Sequence, residues 1–144
     1  KRAGLTQTEV VTLASIVDEE TDNEAEMPKI AGMYINRLHI NMPLQADPTI
    51  KFATKNFTAH RIYQKWLTVD SPYNTYKYRG LPPGPIRIPS VAAIDAVLNY
   101  VHHDYVYMCA KEDFSGTHNF ARTYEEHQVN AEKYAKALNA HGIN

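Results

Sequence analysis

The stretch LASIVDEETDN, residues 13–23, joins an apolar helical pattern to three consecutive acidic residues. Just upstream, TQTE at residues 6–9 matches a capping box, so the sequence predicts a helix over residues 7–21. At about 100° per residue, one apolar face collects residues 10, 13, 14, 16 and 17. The stretch therefore predicts a buried helix whose last turn is acidic.

The three acids take different positions around this helix. Glu20 follows Val17 by three residues and lies at the edge of the apolar face, whereas Glu19 points the opposite way and Asp18 lies well round from Glu20. We expect Asp18 and Glu19 at a solvated helix end and Glu20 in partly apolar surroundings. Desolvation would raise the pKa of that carboxyl above about 4.3, which is typical of a general acid. A plain solvated helix end explains the same letters, so the motif alone leaves both interpretations open.

The remaining patterns predict an α+β fold, with helices packed around a small antiparallel sheet. Long ordered Pro-rich loops are expected to form a cleft, because Pro82, Pro83, Pro85 and Pro89 crowd among apolar residues. The predicted elements are a helix from Pro28 to Leu38 or Ile40, a loop entering a short element over 41–53, mostly irregular chain over 61–90, a helix over 91–101, strands over 104–110 and 117–121, and a capped helix over 124–138.

Composition excludes several classes of function. The 144 residues make one domain with a net charge of −1, which gives no electrostatic reason to bind nucleic acid or an anionic membrane surface. The one cysteine, Cys109, rules out an internal disulfide and a Cys-rich zinc site, and its apolar setting predicts a buried strand position. The histidine spacings match no helical metal pair, so we expect no metal, and His118 is expected at an exposed strand end unless it borders the cleft.

Five blocks in fixed order resemble one bacterial family. LASIVDEET, IAGMYINRL, MPLQADPTI, DSPYNTY and GLPPGPI are similar to the catalytic domain of the YceG-like (MltG) endolytic murein transglycosylases, from about Leu5 to the last helix. The resemblance implies cleavage of the MurNAc–GlcNAc bond of peptidoglycan with formation of 1,6-anhydroMurNAc, without a cofactor, in a role that limits glycan strand elongation. It places the catalytic glutamate on Glu20. Asp18 and Glu19 stand where the family block ASIVEKET has Glu and Lys, and neither change touches the acid.

The same blocks supply candidates for binding the sugars. Gln45 and Asp47 in LQADPT can hydrogen-bond hydroxyl or acetamide groups, although Asp47 can equally cap a turn before Pro48. In PYNTY, aromatic rings can stack on sugar faces while amide and hydroxyl groups bond ring substituents, and one of the tyrosines is expected in the core. Arg37 is open between a structural ion pair and a substrate contact. The substrate-binding candidates are Gln45, Asp47, Tyr73, Asn74, Thr75 and Tyr76.

The resemblance also implies a setting for the chain. We expect residues 1–144 to be one catalytic domain, a fragment of a longer protein whose membrane anchor and LysM-like region precede it. The intact protein is then expected to cross the cytoplasmic membrane once, with this domain on the extracytoplasmic, periplasmic side. Its expected partners are peptidoglycan glycan strands and, as candidates, cell-wall synthases. The alternative function is a non-catalytic peptidoglycan-binding or scaffolding module.

Overall fold

The computed structural model describes residues 4–56, 64–113 and 115–142. In these ranges the predicted α+β class is confirmed, with helices around a two-stranded antiparallel sheet. None of the helices there combines the length and apolar character needed to cross a membrane. In chain order the elements are α1 (Gln7–Glu20), α2 (Met27–His39), α3 (Asp47–Thr54), a 3₁₀ helix (Gln64–Thr68), α4 (Val91–Leu98), β1 (Tyr107–Ala110), β2 (His118–Ala121) and α5 (Tyr124–Ala140).

Capping boxes fix the residues at which α1 and α5 begin. Both predicted capping boxes form: the Thr6 hydroxyl accepts from the Glu9 amide at 3.2 Å while the Glu9 carboxylate accepts from the Thr6 amide at 2.9 Å, and Thr123 with Glu126 repeats the pattern. The short element after Pro43 proves to be α3, which has Pro48 in its first turn.

The α4 helix ends three residues earlier than predicted because the chain after it bonds to a neighbouring helix instead. The amide of Val101 donates to the carbonyl of Pro28 in the first turn of α2, at 3.1 Å. This hydrogen bond holds the segment after α4 against α2.

The core lies where α1, α2 and α4 pack together. The contacting side chains are fully buried, among them Leu13, Ile16, Ile30, Met33 and Val97. In the sheet, Tyr107 pairs with Ala121 and Ala110 with His118, and α5 covers β1. Cys109, expected to be buried, is half-buried, since this two-stranded hairpin is too small to enclose its faces.

The prediction for the end of α1 was wrong for Asp18. Its side chain is only 10% exposed, because its carboxylate accepts from the amide of Ser90 at 2.8 Å and from the Ser90 hydroxyl at 3.3 Å. Ser90 is itself the N-cap of α4, so Asp18 joins the end of α1 to the start of α4. Glu19 is exposed as predicted and forms an ion pair with Arg87 at 2.7 Å.

Close packing between α2 and the segment after α4 generates a first prediction. A β-carbon on Gly32 would lie 2.2 Å from the carbonyl oxygen of Val101. We therefore expect Gly32→Ala to lower the free energy of unfolding by about 2 kcal/mol, although alanine has the higher helix propensity. Urea denaturation of both proteins measures the change.

Gly84→Ala is the matched control, because a β-carbon there would meet only the Tyr73 hydroxyl at an ordinary 3.5 Å. We expect this variant to stay within about 0.5 kcal/mol of the parent. A Gly32→Ala protein as stable as the parent would contradict the tight approach.

Candidate active site

An open cleft of about 500 Å³ lies between the helices and the hairpin. The end of α1 and the middle of α2 form its floor, and the start of α3 forms one side. The hairpin and α5 form the other side. Its polar lining includes Glu20, Tyr34, Arg37, Gln45, Asp47, Lys51, Tyr76, His118 and His127.

Glu20, the last residue of α1, is the carboxyl group on the floor of this cleft. Its pKa is raised from 4.5 to about 7, chiefly by burial, with a smaller contribution from the nearby charge of Asp47. The Tyr34 hydroxyl donates a hydrogen bond to Glu20 Oε2 and works in the opposite direction, as do His118 and Lys51. Glu20 is thus a carboxylic acid that is protonated to a substantial extent at neutral pH.

Tyr34 can keep donating this hydrogen bond because its hydroxyl does not readily lose its own proton. It lies on α2 with 2% of its surface exposed, and burial followed by the charge of Glu20 raises the pKa of its hydroxyl. The hydroxyl therefore remains a donor over the whole range in which Glu20 titrates.

Asp47, Tyr76 and Gln45 form a second polar group in the cleft. The Tyr76 hydroxyl donates to Asp47 Oδ1 at 2.6 Å. Desolvation raises the pKa of Asp47, while Tyr76 and Lys51 act to lower it. Gln45 is exposed and has a backbone φ of +49°, with its amide bonded to the carbonyl of Thr75 at 3.2 Å. These three predicted substrate-binding residues are brought together with Glu20.

Asn74 and Thr75 lie beneath the cleft and are not part of its described lining; for Asn74, which the sequence left open between a substrate contact and a supporting position, this geometry favours support. Both side chains are buried. The Asn74 amide donates to two backbone carbonyls at 2.9 and 2.8 Å, and its Oδ1 accepts from the amide of Tyr76 at 2.9 Å. The Thr75 hydroxyl accepts from the amide of Ala46 at 2.9 Å. Their position allows them to orient Tyr76 and the start of α3.

Tyr73 is half-buried and lies outside the hydrophobic core, so the expected core tyrosine of PYNTY is not found there. Its ring packs on Phe52 with centroids 4.8 Å apart, and it contributes nothing to the described cleft lining. Its partner in the PYNTY block, Tyr76, faces the cleft.

Arg37, left open by the sequence, is a structural residue. It is buried, and its guanidinium donates to the carbonyls of Val106, Pro43 and Leu44 at 2.6, 3.1 and 2.7 Å. Desolvation lowers its pKa.

Three cleft residues were missed or misplaced by sequence reasoning. Tyr34 follows Glu20 by 14 residues on another helix, so no local spacing links them. Lys51 lies one turn after Asp47, a signal that requires α3 to be recognised as a helix. His118 is not at an exposed strand end: its Nδ1 and its amide bond to the two carboxylate oxygens of Glu26 at 2.7 and 2.9 Å.

The Pro-rich segment does not wall this cleft in the described structure. Ile86 and Arg87 instead border an adjoining depression of about 430 Å³. The segment is anchored to α1, because the Ile86 amide donates to the Ser15 hydroxyl at 3.0 Å. The walls of the cleft come from α3, the hairpin and α5. In the ranges the structure covers, no three His, Cys, Asp or Glu side chains are grouped as metal ligands.

A family model for the YceG-like family matches residues 1–133. The chain belongs to the YceG-like family. The chain is 37% identical to a YceG-like protein from Listeria monocytogenes whose crystal structure superposes with a TM-score of 0.78, over 85% of this chain and 39% of that one. The predicted family and fold are thereby confirmed.

Two curated relatives of this YceG-like chain are named endolytic murein transglycosylase. The protein of Bacillus subtilis strain 168 is 41% identical over 130 residues, and that of Streptococcus pneumoniae strain D39 is 33% identical over 141 residues. The matches cover 90% and 95% of this chain. They span 35% and 25% of the relatives' own lengths.

The raised pKa of Glu20 generates a prediction about stability that requires no substrate. Below pH 4.5 the carboxyl is protonated in both the folded and the unfolded chain. Between pH 4.5 and about 7 it ionises in the unfolded chain but stays protonated in the folded chain, and this ionisation stabilises the unfolded chain. Wild-type stability should therefore fall across this window relative to Glu20→Gln. The difference should approach about 3 kcal/mol above neutral pH.

Denaturant unfolding of both proteins at pH 4, 5.5, 7 and 8.5 measures this difference. The other titrating groups are common to both proteins and largely cancel. A difference that stays constant with pH would show that Glu20 has an ordinary pKa.

Proposed function

We propose that this chain is the catalytic domain of an endolytic lytic transglycosylase that cleaves peptidoglycan glycan strands. One observation carries the proposal: Glu20 is a desolvated carboxylic acid on the floor of an open cleft, with a pKa of about 7. The names of the two curated relatives supply the reaction class, which is one that such an acid can catalyse.

In the proposed mechanism Glu20 first acts as a general acid. It protonates the glycosidic oxygen as the bond to C1 of N-acetylmuramic acid breaks, and the N-acetylglucosamine end departs as the alcohol. Tyr34 occupies Oε2, so we assign the proton transfer to Oε1. A carboxyl with a pKa near 7 suits this step, because it carries a proton and gives it up readily at neutral pH.

Glu20 then acts as a base on a nucleophile from the substrate itself. As a carboxylate it takes the proton from the C6 hydroxyl of the muramic residue, whose oxygen attacks C1 and closes a 1,6-anhydro ring. The bond broken is C1 to the glycosidic oxygen, the bond formed is C1 to O6, and Glu20 ends protonated. No water is consumed, so the second carboxylate of ordinary glycosidases is unnecessary.

The second polar group has a binding role in this proposal. The oxocarbenium-like transition state carries positive charge, which the Asp47 carboxylate, held by Tyr76, can stabilise across the cleft. Gln45 can hydrogen-bond sugar hydroxyl or acetamide groups from the same wall. Tyr73, Asn74 and Thr75 support this wall from behind.

Burial of Glu20 also favours catalysis over the alternative binding or scaffolding role. A buried carboxyl costs stability once it ionises, and a module that only binds glycan gains nothing from it.

We further propose that residues 1–144 form one domain of a longer protein anchored in the cytoplasmic membrane, with this domain on the extracytoplasmic side. There it would meet nascent glycan strands beside cell-wall synthases and limit their elongation.

Glu20→Gln should abolish cleavage while leaving the fold intact, because glutamine matches the shape but donates no proton. Mass spectrometry of purified peptidoglycan strands after incubation should find internal 1,6-anhydromuramic ends with the wild type alone. Activity should fall at least about 10³-fold.

Asp70→Asn is the control, since this exposed carboxylate bonds Lys77 and Tyr78 away from the cleft. Reducing ends in place of anhydro ends would indicate hydrolysis, with Asp47 as the second carboxylate. Cleavage by Glu20→Gln would end the assignment of the acid.

The pH profile should follow the protonation of Glu20. Because the acid form is required in the free enzyme, kcat/KM should fall as pH rises through about 7. Tyr34→Phe removes the hydrogen bond that lowers this pKa, so its alkaline limb should move to higher pH.

Tyr76→Phe serves as the matched tyrosine control. Its hydroxyl donates to Asp47 and not to Glu20. Loss of this hydrogen bond favours the neutral form of Asp47, whose charge otherwise raises the pKa of Glu20. The alkaline limb of the kcat/KM profile should therefore stay in place or move slightly to lower pH. Identical profiles for wild type and Tyr34→Phe would exclude Tyr34 as the residue that sets the pKa of the acid.

A further inference from the structure

The depression beside the cleft, here called the side pocket, is continuous with it. Its lining is Glu19, Pro48, Lys51, Phe52, Ile86 and Arg87, and the first three of these also line the cleft. A branched ligand lying in the cleft can therefore extend into the side pocket past Lys51. The pocket has a volume of about 430 Å³, which is room for a short peptide.

The two cations of the side pocket differ in their partners. Arg87 is already held by acids, with its Nη1 at 2.7 Å from a Glu19 oxygen and its Nε at 3.8 Å from Asp18. For Lys51, no carboxylate in the described part of the chain lies within ion-pair distance. Lys51 is half-buried, at the junction between cleft and side pocket. It is therefore the cation available to an incoming anion.

The chemistry of the proposed substrate supplies such an anion at one place. As long as each muramic lactyl group is joined to its stem as an amide, the glycan backbone presents hydroxyl, ether and amide groups and has no charge to pair with a lysine. The peptide stem on the muramic lactyl group carries free carboxylates, and its alanine methyl groups suit the apolar surfaces of Phe52 and Ile86. The stem also branches sideways from the sugar, as the side pocket does from the cleft.

We propose that the side pocket binds the peptide stem of the muramic residue seated in the cleft, with Lys51 pairing a stem carboxylate. This inference rests on the proposed function, because the glycan must lie in the cleft for its stem to reach Lys51. It makes the enzyme selective for strands that still carry their stems over strands from which the peptides have been removed.

Binding measurements on the Glu20→Gln protein test this without any turnover. The two probes are a reduced peptidoglycan tetrasaccharide with tetrapeptide stems and the same tetrasaccharide after enzymatic removal of the stems, with the lactyl carboxyl groups freed by that removal converted to primary amides. Calorimetry should give a Kd at least about tenfold lower for the stem-bearing probe, as one charge-assisted contact plus apolar burial provides. Adding Lys51→Gln should reduce this ratio to within about twofold.

Lys55→Gln in the same background is the matched control, since Lys55 is an exposed lysine at the end of α3 outside both cavities. This control protein should keep the full ratio of Kd values between the two probes. Equal affinities for the two probes, no binding of either, or a ratio that survives Lys51→Gln would each overturn the side-pocket assignment.

A separate measurement, cleavage of the stem-bearing probe, would show whether the proposed function itself fails. Wild-type protein incubated with the same stem-bearing probe would then leave it uncleaved, whatever the ratio of the two Kd values. Cleavage together with equal affinities would keep the transglycosylase and remove only the stem site.

Discussion

The buried guanidinium of Arg37 ties together the parts of the molecule that form the cleft. From α2, at the centre of the fold, it donates to Val106 just before the hairpin and to Pro43 and Leu44 just before α3. Both walls of the cleft are thus attached to one side chain one turn after Tyr34. Hydrogen bonds to a charged donor contribute about 1.5–3 kcal/mol each, and a buried charge makes their loss costly. The geometry around Glu20 depends on this attachment, since Tyr34 and Arg37 share a helix.

The last turn of α1 carries three consecutive acidic residues at a helix end that disfavours negative charge. A helix end leaves carbonyls unsatisfied and disfavours negative charge, so three acids there call for separate solutions. Asp18 accepts a hydrogen bond from the amide of Ser90 at the start of α4 and lies 3.8 Å from Arg87, and the exposed Glu19 forms an ion pair with Arg87. Glu20 has neither solution, so it retains its proton. Burial, and then the charge of Asp47, favour the acid form of Glu20, while the Tyr34 hydrogen bond, His118 and Lys51 oppose it.

Sequence reasoning reached most of the fold because its signals were local. Capping boxes and 3.6-residue periodicity lie within single segments, and both capped helices formed as predicted. Local geometry left Glu20 open between an acid and a solvated helix end, and the family resemblance singled it out as the candidate acid. What escaped were the pairings across segments: Asp18 with Ser90, Glu20 with Tyr34, and His118 with Glu26 are separated by 72, 14 and 92 residues. Asn74 was left open for a related reason, since an amide in a loop can bond a sugar or the backbone equally well and its burial depends on the tertiary structure.

Glu20 and Asp47, two of the carboxyl groups that line the cleft, differ in their surroundings. Both have a raised pKa, yet Asp47 is accessible and receives a hydrogen bond from Tyr76 as well as the field of Lys51 one turn away. Glu20 is less exposed than Asp47, and the charge of Asp47 adds to the rise in its pKa. In such a pair the more exposed group ionises first, and its charge keeps the less exposed group protonated. In the proposed mechanism the negative charge therefore lies on the wall, where it can stabilise a developing cation, and the proton lies on the floor, where it can be donated to the leaving oxygen.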